Sequence, residues 1–385
     1  MVRRRGDLRQ PTQSVYHSLS QPLFMKQDIR KLTVPQLTDW LKQQGEQGFR
    51  AKQIHEWLWK KSAQSFEQMT NLSVSTRNLL NEQFDIRPLA VHQEQRSNDG
   101  TIKSSFRLYD GNLVEGVLIP SLRHDDRGDG PQDRMTACVS SQVGCSLTCK
   151  FCATGYMDRK RNLDAAEIYD QVVAIDRQAK QHYDVPLSNI VYMGMGEPLL
   201  NYKNVLESVD RITSPTGLGM SAKRITVSTA GIAKMIRQLG DDQVKFNLAL
   251  SLHAANDQKR DTIMPINESN TLDALGDALT YFYQKTGTRI TFEYILFYNF
   301  NDTLQDAQEL WRFTKRVPAK VNIIEYNPIA EANFKNTDPQ TLDKFAGFLD
   351  SKGVVVNVRR SRGKDIDAAC GQLAGKEKDK QKLVI

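Results

Sequence analysis

Apolar positions fall into two rhythms along the chain. From Leu32 to about residue 86 they recur at helical spacing. Leu37, Trp40 and Leu41 share a face behind Thr33, whose pairing with Gln36 predicts a capping box, and Gly45 ends that helix. Phe49 to Lys61 predicts a second helix with Ala51, Ile54, Trp57 and Leu58 inward and Arg50, Lys52, Lys60 and Lys61 outside. Phe66, Met69, Leu72, Leu79, Leu80 and Phe84 carry the helical pattern to its end. The rhythm then changes. Turn signals at Asn98-Asp99-Gly100 and Asp110-Gly111-Asn112 bracket one strand, and a second runs from Leu113 to Pro120. From Met135 short β-rich runs alternate with amphipathic helices, with strands near 136–141, 189–193, 224–229, 245–252, 289–297, 320–326 and 354–359. Asp164 with Glu167, ahead of Ile168, Val172 and Ile175, predicts a capped helix between the first two.

Repeated strand-helix units with right-handed crossovers imply an α/β fold, a parallel sheet curled into a partial or full barrel whose active groups lie on loops at the strands' C-terminal ends. The expected organisation is an arm at 1–25, a helical accessory domain at 26–86, a β extension with a polar loop at 87–134, the barrel at 135–360 and a tail at 361–385.

Composition narrows the class. With 39% hydrophobic and 25% charged residues and no apolar run of membrane-spanning length, the chain reads as globular, and its start lacks the apolar core of a secretory signal. A formal charge of +7 favours an anionic partner such as RNA, although a solvated basic surface explains it as well.

Three of the five cysteines, Cys145, Cys149 and Cys152, fall within eight residues. A structural zinc normally takes two short-spaced pairs, and here there is one compact triplet. A [4Fe-4S] cluster held by three cysteines, with one iron open for chemistry, fits better. Such thiolates need a reducing compartment, which points to the cytoplasm. Further along, Met193-Gly194-Met195-Gly196-Glu197-Pro198-Leu199 follows the second strand, with glycines for close approach and Glu197 as an acceptor for an ammonium group. Ser228 and the run Ser251-Leu252-His253 end the next two strands, and Asn327 ends the sixth. Each such residue taken alone is more often a helix cap. Glu115 breaks the apolar face of Leu113, Val117 and Ile119: either it reaches solvent from an edge strand, the simpler reading, or it is a buried carboxylate suited to accepting a proton. Cys370 stands among small and charged residues that would not bury it.

C-x3-C-x2-C with the aromatic Phe151 resembles the cluster motif of the radical S-adenosylmethionine enzymes. The wider set FRAKQIHEWLW (49–59), EQMTNLS (67–73), CVSSQVGC (138–145), FCATG (151–155), RNL (161–163), GMGEPLLN (194–201), ITVSTAGI (225–232), LALSLHA (248–254), EYNPI (325–329) and DIDAACGQL (365–373) resembles one family among them. That family is the ribosomal RNA large subunit methyltransferase N group, which methylates adenine C2 in 23S rRNA and tRNA. The resemblance implies a radical S-adenosylmethionine partial barrel and two molecules of S-adenosylmethionine per turnover. One methylates Cys370; the second yields a radical that activates that methyl group, which adds to adenine. Glu115 matches the proton acceptor, and Cys138 the thiol that attacks Cys370 and leaves a disulfide. Gly196, Glu197, Ser228, Ser251, Leu252, His253 and Asn327 match cofactor-binding positions. A reductase such as flavodoxin, a monomeric state and no membrane partner are also implied.

The sequence departs from the family at Asp158, where glycine is usual, in the 122–134 loop and in the first 25 residues. A relative that methylates adenine C8 carries a cysteine at the position of Val143, so valine favours C2. A zinc-stapled RNA-binding module with Cys138 or His253 as fourth ligand is the rival from another class. A glycyl-radical activating enzyme would have the same triplet and no use for Cys138 or Cys370.

Overall fold

The computed structural model describes residues 26–121 and 133–374. The expected arm at 1–25, nearly all of the 122–134 loop and the end of the tail lie outside the described residues.

The first rhythm folds as a helical unit. Helix α1 (Val34–Gln43) opens on the reciprocal Thr33–Gln36 capping box, and Gly45 takes φ +78° just past its end. Helix α2 (Arg50–Trp59) buries Ala51, Ile54, Leu58 and Trp59. Trp57, expected inside, is half-buried and donates to Asn71 Oδ1, with Lys61 3.9 Å above its ring. Trp59 takes the inward place because its partner lies outside the helical unit: its ring meets Tyr169 edge-on at 5.1 Å. Helix α3 (Val74–Gln83) ends before Phe84, which starts a strand where a helix was expected. The reason is tertiary: Phe84–Asp85 (β2) pairs in parallel with Gln27–Asp28 (β1).

Three antiparallel strands follow, β3 (Ala90–Arg96), β4 (Ile102–Arg107) and β5 (Leu113–Ser121). Then come β6 (Arg134–Cys138), the short ribbon β7 (Gln142–Val143) with β8 (Arg161–Asn162), α4 (Ala165–Tyr183), β9 (Asn189–Tyr192), α5 (Tyr202–Thr213), β10 (Ile225–Thr229), α6 (Ala233–Asp241) and β11 (Asn247–Ser251). The chain continues with α7 (Asp257–Ile263), α8 (Leu272–Thr286), β12 (Ile290–Ile295), α9 (Leu304–Thr314), β13 (Ala319–Ile324), α10 (Pro339–Ser351) and β14 (Val355–Arg359). All seven barrel strands lie where the alternation placed them.

Among the described residues the main sheet runs β14-β13-β12-β11-β10-β9-β6-β5-β4-β3. From β6 through β14 every pairing is parallel. β5 pairs antiparallel with β6, Val117 opposite Cys138, so the β extension continues the barrel sheet and is no separate layer. This placement overturns the edge-strand reading of Glu115: β5 is interior, hydrogen-bonded to β4 and β6. Ile168, Val172 and Ile175 of α4 are fully buried, on the stripe the capping pair predicted. The parallel sheet remains open, so the barrel is partial. After β14 the chain crosses to the β3–β4 turn, where Gly363 N donates to Asp99 Oδ2 at 2.9 Å and Asn98 N to Asp365 Oδ2 at 3.1 Å. The tail thereby spans the mouth.

Arg30 docks the helical unit on the barrel. Its buried guanidinium reaches Asp28 Oδ2 at 2.9 Å and Asp170 Oδ2, on α4, at 2.8 Å. No helix among the described residues is long and apolar enough to cross a membrane.

Candidate active site

Cys145, Cys149 and Cys152 lie on the loop after β7 and line one cavity of about 160 Å³ at the C-terminal ends of the parallel strands. The loop is tied from several sides. Ala153 N donates to Gly371 O at 2.7 Å, Lys150 N donates to Ile263 O at 3.0 Å, and the Phe151 ring meets His253 edge-on at 4.7 Å. Burial, with smaller effects from Cys152 and Glu197, pushes the Cys145 thiol up to about 12; Cys149 and Cys152 are also pushed up by burial. Three thiolates cannot coexist here without compensating positive charge, which a metal cluster supplies.

Among the described residues no three His, Cys, Asp or Glu side chains gather round one metal-ion position. A cluster asks for something else, an iron for each cysteine. The fourth ligand of the zinc rival is also missing from the triplet. Cys138 faces a different cavity, and His253 Nδ1 accepts from Ile295 N at 3.1 Å. That bond assigns the His253 proton to Nε2, and burial holds the ring down to about 3, so it is a neutral donor.

Gly194, Gly196, Glu197, Ser228, Ser251 and His253 line the same cavity as the triplet. The glycines serve a purpose the sequence did not disclose. A Cβ on Gly194 would stand 2.7 Å from the Val139 carbonyl, and one on Gly196, at φ +94°, would stand 2.5 Å from Gln142 Cβ. They let the loop pack on the backbone after β6. Glu197 is braced likewise, Oε1 accepting from Leu199 N at 3.0 Å and Oε2 from Ala230 N at 2.8 Å. Ser228 Oγ and Ser251 Oγ, on adjacent strands, are 3.4 Å apart. Leu252 and Asn327 do not line this cavity. Leu252 is fully buried, and its carbonyl accepts from Arg260 Nε at 3.1 Å. Asn327 Nδ2 donates to Cys370 O at 3.2 Å, while its buried Oδ1 has no hydrogen-bond partner.

Cys138 and Cys370 line a second cavity of about 120 Å³, which shares Cys152, Thr154, Gly194, Arg359 and Cys370 itself with the first. Both are free thiols, as are the other three cysteines, so the disulfide expected of a spent enzyme is not the state described. Glu115 does not join them. It is 5% exposed, its Oε2 accepts from Ala374 N at 2.8 Å, and Lys103 Nζ lies 3.4 Å from Oε1. With Lys103, Gln95 and Asp367 it lines a third cavity of about 320 Å³. Tail residues stand between the two: Ala369, Cys370, Gly371 and Leu373 face the thiols, and Gln372 and Ala374 face Glu115.

Two charged lining residues escaped the sequence reading, Glu293 and Arg359. Glu293 gave the same signal as Glu115, an acid inside an apolar strand. Arg359 opens a basic stretch that ends at Lys364, within which Arg360 and Lys364 pair with Glu325 at 3.3 and 2.7 Å.

Residues 27–86 match the ribosomal RNA large subunit methyltransferase N-terminal domain, and residues 139–310 match the radical SAM superfamily. The chain is 62% identical over 352 residues to the probable dual-specificity RNA methyltransferase RlmN of Cytophaga hutchinsonii, covering 91% of this chain and 94% of that one. It is 41% identical to the protein of the same name from Staphylococcus aureus strain Newman, covering 93% and 95%. A crystal structure of a radical SAM methyltransferase from Sphaerobacter thermophilus superposes with a TM-score of 0.83 at 38% identity, covering 91% of this chain and all of that one. With near full-length identity to such relatives, and with the triplet set at the mouth of a partial barrel, the chain belongs to the RlmN family of dual-specificity RNA methyltransferases within the radical SAM superfamily.

Proposed function

We propose that this chain methylates C2 of an adenosine in 23S rRNA and in tRNA, with Cys370 as the methyl carrier. The observation that carries the reading is the pair of adjoining cavities: Cys370 lines both, facing the cysteine triplet in one and Cys138 in the other. Adenine C2 is electron-poor and bonded to a hydrogen that no ordinary base removes, so the reaction needs a carbon radical. A [4Fe-4S] cluster on Cys145, Cys149 and Cys152, with S-adenosylmethionine on its open iron and an electron from a reductase such as flavodoxin, supplies that radical chemistry when bound.

The chain's own residues do the rest. Cys370 accepts a methyl group by displacement from one S-adenosylmethionine, which makes two consumed per product. Gly196, Glu197, Ser228, Ser251 and His253 hold the cofactor, with Leu252 bracing their loop through its backbone and Asn327, outside that cavity, tying down the Cys370 carbonyl. Once the Cys370 methylene is joined to C2, Glu115 removes the C2 proton and the adduct gives up its odd electron to the oxidised reductant. The Cys138 thiolate attacks the Cys370 sulfur, the sulfur–carbon bond breaks, and the electron pair passes to the methylene carbon of the departing base, which takes up a proton to become the methyl group. A Cys138–Cys370 disulfide results, which a cellular reductant reopens. For Glu115 to act, Ala374 N must release its carboxylate. Exposed Lys52 and Lys60 of the helical unit suit RNA phosphates, and an unstacked adenine in a loop suits the mouth. We assign the chain to the reducing cytoplasm as a monomer.

The test is to reconstitute the protein anaerobically and supply S-adenosylmethionine, reduced flavodoxin and either a 23S rRNA fragment or a tRNA transcript. Nucleoside mass analysis is expected to find 2-methyladenosine in both. Finding 8-methyladenosine, or no methylated adenosine, overturns the reading.

A further inference from the structure

Glu293 is the one charged residue of β12, and it is 4% exposed. Register places Ser251, Glu293, Asn322 and Asn357 in one row across β11, β12, β13 and β14. The row is wired in one direction. Asn357 Nδ2 donates to Asn322 Oδ1 at 3.2 Å, and Asn322 Nδ2 donates to Glu293 Oε1 at 2.8 Å. Nothing completes it: Glu293 Oε2 is buried without a hydrogen-bond partner, and the nearest cation, Arg359 Nη1, stands 3.9 Å away. Burial accordingly pushes the carboxyl up from its ordinary range.

A buried acceptor left open is costly unless something fills it. Here Asn322 fixes one oxygen and leaves the other open, and Glu293 lines both the cavity that also holds the cysteine triplet, Ser228 and Ser251 and a larger one of about 700 Å³ shared with Asn322, Asn357 and Arg359. The donor set has two layers. The cysteines and Glu197 sit on loops beyond the strand ends, whereas Ser228, Ser251 and Glu293 are carried by the strands themselves. A molecule anchored among the loops by its amino-acid end presents its nucleoside to the strand layer. A ribose hydroxyl is the donor that suits an acceptor flanked by a serine, and the adjacent Ile295 and Ile324 suit the flat apolar base.

We propose that Glu293 is a ribose-binding residue of the S-adenosylmethionine site, its open Oε2 accepting from a ribose hydroxyl, with Asn322 and Asn357 as positioning residues. This rests on the cofactor reading above. The test measures equilibrium binding by calorimetry on the cluster-loaded full chain, with S-adenosylmethionine and its 2′-deoxy and 3′-deoxy analogues. In the wild-type protein one deoxy analogue is expected to bind about 10-fold or more weakly, as a lost hydrogen bond to a charged group requires. In Glu293→Ala that discrimination is expected to shrink to about 3-fold or less, with iron content unchanged. Glu293→Gln preserves the packing should alanine fail to fold; Asn322 holds its carbonyl oxygen, so an amide replaces the carboxylate oxygen at the cavity and discrimination again drops. Asn322→Ala is expected to reduce discrimination part-way. Wild-type protein that binds all three ligands equally, or variants with wild-type discrimination, overturn the inference alone. Wild-type protein that binds no S-adenosylmethionine overturns the cofactor reading and this inference with it.

Discussion

Cys138, the last residue of β6, and Cys370, in the tail after β14, line one cavity although the whole barrel sequence lies between them. Cys138 is fixed by the ladder, opposite Val117 of β5 and Val191 of β9. Cys370 is held through its loop, by Asn327 Nδ2 on its own carbonyl, Ala153 N on the carbonyl of Gly371 and Thr154 Oγ1 on that of Leu373. In the proposed reaction the thiol set in the ladder waits, and the loop-borne carrier moves.

Cys138→Ala is expected to stall after the carbon–carbon bond forms, because Cys152, the other thiol lining that cavity, is taken up as a cluster ligand. Protein covalently joined to RNA through Cys370 should then build up on denaturing gels when S-adenosylmethionine and reductant are present. The double variant Cys138→Ala with Cys370→Ala should show none. Normal turnover by the single variant would refute the two-thiol mechanism.

Burial, then Cys370, holds the Cys138 thiol up to about 12, against Arg359 and a backbone bond that pull it down. An unperturbed thiol near 9 reaches its full thiolate population by about pH 10. Cys138 does not, so at pH 8 its alkylation by iodoacetamide should be on the order of 100- to 1000-fold slower than that of a free thiol. Its rate should keep rising tenfold per unit between pH 9 and about 12. The linked stability has the matching sign, present below pH 9 and lost as pH climbs toward 12. A plateau at pH 9, read by peptide mass analysis, would contradict the burial argument.

What was legible in the sequence follows the physics of each signal. Period and capping gave the seven barrel strands and the start of α1, because these are local: Thr33 with Gln36 needs only three residues of spacing. The Cys145–Cys152 triplet is likewise local. Trp59 was misjudged against Trp57 since its burial depends on Tyr169, a partner no helical spacing reveals. Glu115 reads as an edge residue from its own strand alone because strand neighbours are a matter of topology, and the pairing of β5 with both β4 and β6 makes it interior. The packing partner of Gly196 is hidden for the same reason, its missing Cβ facing Gln142. Glu293 went unnoticed because an acid in a strand has meaning only when its register row is known.

Replacing any one of Cys145, Cys149 and Cys152 by alanine is expected to lower iron content to a small fraction of wild type while circular dichroism and the unfolding midpoint of the cluster-free protein change little. The three sit on a loop whose ties run through backbone groups of Ala153 and Lys150, so the fold does not depend on their sulfurs. Near wild-type iron and sulfide in any single variant would dismiss that cysteine as a ligand.

The last prediction concerns Arg30, which holds the helical unit to the barrel without touching the site. Its guanidinium contacts both Asp28 and Asp170 and donates through Nη2 to Arg87 O at 2.8 Å, all within a buried pocket. Arg30→Ala leaves the buried Asp28 and the half-buried Asp170 facing each other without a cation, a loss of about 3 kcal/mol, the lower end for breaking a buried network from one side. Arg30→Lys should recover only part of it, because an ammonium cannot present the planar fork that serves both carboxylates at once. Arg30→Ala with Asp170→Asn should be less damaging than the sum of the singles, since the asparagine removes one of the stranded charges. Urea unfolding of the four proteins checks the order. Iron content should stay at the wild-type level throughout, because the pocket lies at α4, away from the triplet. An Arg30→Ala variant within about 1 kcal/mol of wild type would mean that water relieves the two aspartates and that the docking rests on Trp59 and Tyr169.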